Sequence, residues 1–205
     1  MREPIRGVLL RRPRPIFCGT FLGGTGTSGD TVTTSIDVGA ASPDRFIIAG
    51  AGSQNGSTLT ALSVNGVSLF PLSASSGRVA IGAAIVSSGD GNVTISGTWT
   101  SSGFTSRGFT IWRLPRVGST VAINTASGST TASISVSFGE FLFAVILPTT
   151  EANFLASSEP PIAHHQTPSA GSRVLSSAEW ARVGTQSSFS VTASQAQTVV
   201  AATFR

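Results

Sequence analysis

The chain has 205 residues, 40% of them hydrophobic and only 11% charged, with a single cysteine and neither lysine nor tyrosine. That length fits one large β domain or two small fused ones, and a solvated surface built from Ser, Thr, Gly, Asn and Gln argues against exposed helices, whose outer faces usually carry i,i+4 charge pairs. Cys18 alone excludes an internal disulfide, and the net charge of +4 resides wholly in the first fourteen residues, the remainder balancing eight arginines against eight acids.

At the N-terminus, Arg2, Arg6, Arg11, Arg12 and Arg14 oppose Glu3. Val8-Leu9-Leu10 is cut short by Arg11-Arg12-Pro13-Arg14-Pro15, too short an apolar core for a secretory signal. Alternating proline keeps this segment extended, so its guanidinium forks stay displayed among apolar anchors. Residues 1–29 are therefore expected to form an arm and Gly-rich linker. Arg2, Arg6, Leu9, Leu10, Arg11, Arg12, Arg14, Phe17 and Phe21 would dock it onto a protein neighbour by strand addition or in a groove. The interleaved hydrophobics suit protein better than nucleic acid or an anionic membrane. Gly24-Thr25-Gly26-Thr27-Ser28-Gly29 fits G-x-G-x-x-G, but the strand-like Asp30-Thr31-Val32-Thr33-Thr34 follows where a dinucleotide site needs a helix.

Beyond the arm, alternating apolar residues predict strands over Val32 to Val38, Val79 to Val86, Val93 to Trp99, Phe109 to Leu114, Ile134 to Phe138, Phe189 to Ala193 and Thr198 to Phe204. Phe46 to Ala49 and Phe141 to Leu147 are continuously apolar and predict central strands covered on both faces. Asn65-Gly66 predicts a type I′ hairpin pairing Val64 with Val67 and Leu62 with Leu69, all four on one buried face. No window carries a capped 3.6-residue stripe. The expected fold is an all-β antiparallel sandwich, jelly-roll-like.

The order of elements recurs. Ser35-Ile36-Asp37-Val38 followed by Asp44-Arg45-Phe46-Ile47-Ile48 matches Ser133-Ile134-Ser135-Val136 followed by Glu140-Phe141-Leu142-Phe143-Ala144, and each half closes with a paired run. Within a sandwich spanning 30–205, this implies two related modules, 30–115 and 119–205, sharing one core; the other reading is the sameness of all antiparallel β patterning. Pro148 to Gly171 contains Pro160-Pro161, His164-His165 and Pro168, and is expected to be a long surface loop.

Catalytic residues, cofactors and metals are not expected. Adjacent His164 and His165 would point in different directions in a loop, no G-x-S-x-G elbow marks one serine, and the nine acids are scattered. Trp99 and Trp112 fall within apolar alternation and should pack in a core. Trp180, beside Glu179 and Arg182, is the surface aromatic from which, with His164 and His165, a candidate recognition loop is drawn. No segment approaches the roughly 20 apolar residues that span a bilayer, so no membrane insertion is expected.

Asp44-Arg45-Phe46-Ile47-Ile48-Ala49-Gly50, Leu62-Ser63-Val64-Asn65-Gly66-Val67 and Ile111-Trp112-Arg113-Leu114 together resemble the small β-sandwich proteins encoded among virion genes of tailed phages and prophages of GC-rich bacteria. The likeness spans about residues 30 to 115, with a looser echo to the C-terminus. It implies a non-enzymatic structural protein located in the virion, anchored by its arm to capsid or tail and displaying the sandwich as decoration, spike or adhesion module. Expected partners are other virion proteins and further copies of the chain, a trimer being the favoured homo-oligomer; nucleic acid is not among them. The alternative is a carbohydrate-binding adhesin module recognising host surface glycan through Trp180 and the Pro148–Gly171 loop.

Overall fold

The structure, a computed structural model, describes residues 14–23, 31–53, 57–69, 73–75, 78–100, 107–114, 124–137, 139–148, 154–156, 161, 163–166, 176–181, 185–193 and 196–205. The first half contributes β1 (Ile16–Gly23), β2 (Thr31–Asp37), β3 (Phe46–Ser53), β4 (Leu59–Val64), β5 (Val67–Ser68), β6 (Ser73–Ser75), β7 (Val79–Ile85), β8 (Asn92–Trp99) and β9 (Arg107–Leu114). The second contributes β10 (Asn124–Gly128), β11 (Thr131–Val136), β12 (Phe141–Pro148), β13 (Phe154–Ala156), β14 (Ala163–Gln166), β15 (Ser176–Ala181), β16 (Gln186–Ala193) and β17 (Ala196–Phe204). All pairings are antiparallel, and there is no helix among the described residues.

Four sheets result, ordered β1-β9-β3-β7-β6, β2-β8-β4-β5, β10-β17-β12-β15-β14 and β11-β16-β13. The first two enclose one apolar cluster, including Ile47, Leu62, Val64, Ile95, Trp99, Phe109 and Ile111. The last two enclose a second, including Ile134, Leu142, Ile146, Trp180, Phe189 and Val191. A third lies where the two five-stranded sheets stack back to back, formed by Phe46, Ile48, Val79, Ile81, Trp112, Phe143, Val145, Val200 and Phe204 among others. The molecule is thus a four-layer sandwich of two modules. β3 is buried along its whole length because one side faces its own module and the other faces the partner module, the reason its sequence reads as a continuous apolar run.

Strand by strand, the modules correspond. β1, β2, β3, β4, β6, β7, β8 and β9 match β10, β11, β12, β13, β14, β15, β16 and β17, and the matched strands hold the same places in their sheets. Where the modules meet, β1 faces β14, β9 faces β15, β3 faces β12, β7 faces β17 and β6 faces β10. Each strand therefore opposes the counterpart of the strand on the other side of β3, which describes an approximate two-fold axis running parallel to β3 and β12.

Several expectations need correction. The closing runs of each half do not pair with themselves: β8 and β9 belong to different sheets, as do β16 and β17, so each run crosses the sandwich. The sandwich begins at Ile16 rather than residue 30, because β1 completes the edge of the first inner sheet by pairing with β9 from Ile16↔Arg113 to Gly23↔Arg107. The Pro148–Gly171 stretch contains β13 and β14, which extend the sheets of the second module. The hairpin forms with Asn65 at φ 48° and Gly66 at φ 77°, as a type I′ turn demands. Leu62, Val64 and Leu69 are buried, but Val67 at the tip is exposed.

Candidate functional site

Of the arm residues singled out, Arg2, Arg6, Leu9, Leu10, Arg11 and Arg12 lie outside the described residues, as does the linker 24–30. Arg14 is exposed, and Ile16 beside it is 50% exposed. Phe17 and Phe21 are not free docking anchors. A β-bulge between Phe17 and Gly19 turns successive side chains of β1 to different partners. Phe17 packs onto the cluster between the modules, with Trp112 at 6.4 Å edge-on. Phe21 packs with Cys18 onto the first module's core and lies 6.3 Å from Phe109. The edge of β9 would otherwise expose a row of unpaired backbone groups, and β1 satisfies them.

Trp180 is only 1% exposed. β15 lies inside its sheet between β12 and β14, and Trp180 points into the core of the second module against Phe189, 5.9 Å away and nearly perpendicular. It offers no surface platform for a sugar. His164 and His165 belong to β14, paired with Ala178 and Ser177, rather than to a loop.

What the fold does assemble lies at the β1/β14 edge of the junction between modules. The His165 ring lies over Phe17 at 3.4 Å between centroids and 5° between planes. Across β15, Glu179 turns toward the same junction; its Oε2 lies 3.8 Å from His165 Nε2, too far for a hydrogen bond. Glu179 is 5% exposed, and neither of these two atoms has a hydrogen-bond partner. Trp112 Nε1 is likewise buried without one. One step inward, Thr110 and Ser177 join the sheets through a 2.8 Å hydroxyl–hydroxyl bond. Sequence reasoning missed this grouping because Phe17, Trp112, His165 and Glu179 come from four strands, brought together by cross-module stacking that no local pattern encodes.

The remaining ionisable groups with defined partners close loops. Arg45 donates from Nε to Val86 O at 2.8 Å, from Nη1 to Gly39 O at 2.8 Å, and from Nη2 to Ser88 O. Asp37 Oδ1 accepts from Gly39 N at 2.8 Å, Asp90 Oδ1 from Ala41 N at 3.1 Å, and Glu140 Oε2 from Ser137 N at 3.0 Å. Burial pushes the Cys18 thiol up to about 11, opposed in part by Arg113. Among the described residues no three His, Cys, Asp or Glu gather as a metal site, and no helix is long and apolar enough to cross a membrane.

No protein-family model matches the chain, and no curated protein matches it. Among solved structures, an anti-sigma factor domain-containing protein aligns over 91% of this chain and 81% of its own, at 10% identity and a TM-score of 0.26. A likeness at that level carries no inference about this chain.

Proposed function

We propose that the chain is a non-enzymatic structural protein of a tailed-phage virion, held on capsid or tail by its arginine-rich N-terminal segment and displaying the double sandwich outward. The observation that carries this reading is the continuity of the segment with β1. The chain passes from the arginines directly into a strand laddered along β9, in a sheet that both modules cover. Load on the arm would be borne by a row of backbone hydrogen bonds rather than by a flexible linker. Two further features support it. Arg45, Asp37, Asp90 and Glu140 are spent on closing loops, and the outer sheets present neutral hydroxyl pairs such as Thr31–Thr98, Thr131–Thr192 and Ser133–Ser190. Faces rich in neutral hydroxyls permit close packing between copies, for which a trimer remains the favoured arrangement.

Because β1 belongs to the body, the informative truncation removes residues 1–13 and stops there. The shortened protein should keep its melting temperature and lose incorporation into particles when expressed in place of the full chain. Incorporation at full occupancy would overturn the anchoring role. Light scattering on the intact protein reads the oligomeric state separately, and a monomer at all concentrations would remove the trimer. The glycan-binding alternative has lost the aromatic side chain on which it was built.

A further inference from the structure

We propose that Asn65 is a self-modification site held shut by the fold: its side-chain amide is converted to a carboxylate, with Gly66 as the attacking group, when the turn lets go of the loop around Ser88. The chemistry is local. The backbone nitrogen of Gly66 closes onto Asn65 Cγ, forming a C–N bond, while the side-chain nitrogen departs as ammonia and carries away the proton of the Gly66 amide. Water then opens the five-membered imide at either carbonyl, leaving aspartate or its β-linked isomer. Glycine, without a Cβ, obstructs this closure least, and Gly66 is exposed to the water that the second step consumes.

The fold opposes the attack by fixing the group to be attacked. Asn65 N donates to Thr94 O at 2.7 Å and Asn65 Oδ1 accepts from Thr94 N at 2.7 Å, so the residue completes a ladder pair with Thr94 one step beyond Val64↔Ile95. Nδ2 donates to Ser88 O at 3.1 Å, a carbonyl that also accepts from Arg45 Nη2. It rests against Gly89, where a Cβ would overlap it. The amide is thereby anchored through both of its polar atoms, and Cγ reaches the Gly66 nitrogen only after both bonds break. That opening involves the hairpin tip and residues 86–91 alone, so it costs less than unfolding the molecule. The product does not lock again in the same way. A carboxylate oxygen in place of Nδ2 sets acceptor against acceptor at Ser88 O, and the β-linked isomer adds a backbone atom to a two-residue turn whose length fixes the register.

The test is peptide mapping of the full chain after incubation at pH 8, which separates asparagine, aspartate and the β-linked isomer at position 65. In urea the unfolded chain should convert there at a rate comparable to that at Asn55-Gly56, the same dipeptide outside the described residues. The native chain should convert at position 65 at least about tenfold more slowly. Gly89→Ala pushes the amide off Ser88 without altering Asn65 or Gly66, and should raise the native rate roughly several-fold. Trp180→Ala destabilises the other module and should leave that rate near the wild-type value. A second readout needs no variant: the Thr94 amide, which donates to Asn65 Oδ1, should exchange with solvent sooner than the amides of β3. Equal rates at position 65 in native and unfolded chains, an acceleration by Trp180→Ala as large as that by Gly89→Ala, or a Thr94 amide that exchanges only with global unfolding would overturn the guarded site.

Discussion

Gly50 and Val145 hold matching positions of the two modules, on β3 and β12, and meet each other at the approximate axis of the molecule. A Cβ built on Gly50 would overlap Val145 Cγ2 and sit 2.7 Å from Thr110 Cγ2. The sheets approach closely here only because one of the two equivalent residues lacks a side chain. Gly50→Ala should cost about 1–3 kcal/mol through overpacking. Adding Val145→Gly should recover part of that loss, so the double variant should be more stable than the sum of the single effects predicts. Urea midpoints of the four proteins in a double-mutant cycle measure the coupling, expected to exceed about 0.5 kcal/mol.

Arg45 is 1% exposed, and its three bonds are to backbone carbonyls of Gly39, Val86 and Ser88. Arg45→Met fills similar space and abandons all three acceptors, a loss of at least about 3 kcal/mol. Arg45→Lys should rescue little, since a single ammonium cannot reproduce the planar fork. Denaturant unfolding gives the stability, and amide exchange should accelerate first in residues 38–45 and 86–91.

At the hairpin, Asn65 does more than adopt a left-handed backbone. Its Nδ2 donates to Ser88 O at 3.1 Å and its Oδ1 accepts from Thr94 N at 2.7 Å, tying the turn to the neighbouring loop. Asn65→Gly keeps the favourable φ and loses both bonds, so it should cost about 1–2 kcal/mol. Gly66→Ala, at φ 77° with open space around it, should cost about 1 kcal/mol from backbone strain alone.

The Cys18 thiol, raised by burial to about 11, should react slowly with a thiol reagent at pH 8 and become reactive on unfolding. The folded state holds this proton more tightly than the unfolded chain does. The corresponding stability is complete below about pH 9, the ordinary value, and disappears as pH rises through 11. Cys18→Ser should therefore flatten the alkaline limb of a stability profile, measured by urea unfolding at intervals up to pH 11.

Trp180→Ala should destabilise by about 3–5 kcal/mol, the cost of emptying a core site. A melting-temperature drop accompanied by unchanged adsorption of the still-folded fraction to cells or glycans would separate this packing role from recognition.

The sequence made most of the fold readable wherever one strand face had to be apolar or both did. Phe46 to Ala49 and Phe141 to Leu147 announced strands with two covered sides, and the stacked inner sheets supply those covers. β1 was hidden because arginine and proline precede it and its bulge at Phe17/Gly19 breaks the alternation that marks an edge strand. β14 is four residues long, set among prolines, and laddered at the sheet edge onto β15. Trp180 looked exposed because charged Glu179 stands next to it; in a strand covered on both sides those neighbours enter two different interiors. The Phe17–His165–Glu179 grouping depends on how two sheets stack, a relation with no one-dimensional periodicity.

The positions that correspond to Phe17 and His165 across the axis are Thr125 and Ser73, and those that correspond to Thr110 and Ser177 are Val200 and Ile81. Had the halves been separate identical subunits, every substitution on one flank would have been copied onto the other, and a histidine on one flank could not coexist with a serine at the matching place on the other. Joining them in a single polypeptide releases that constraint. One flank is then free to place an aromatic ring and a histidine where its twin has a threonine and a serine.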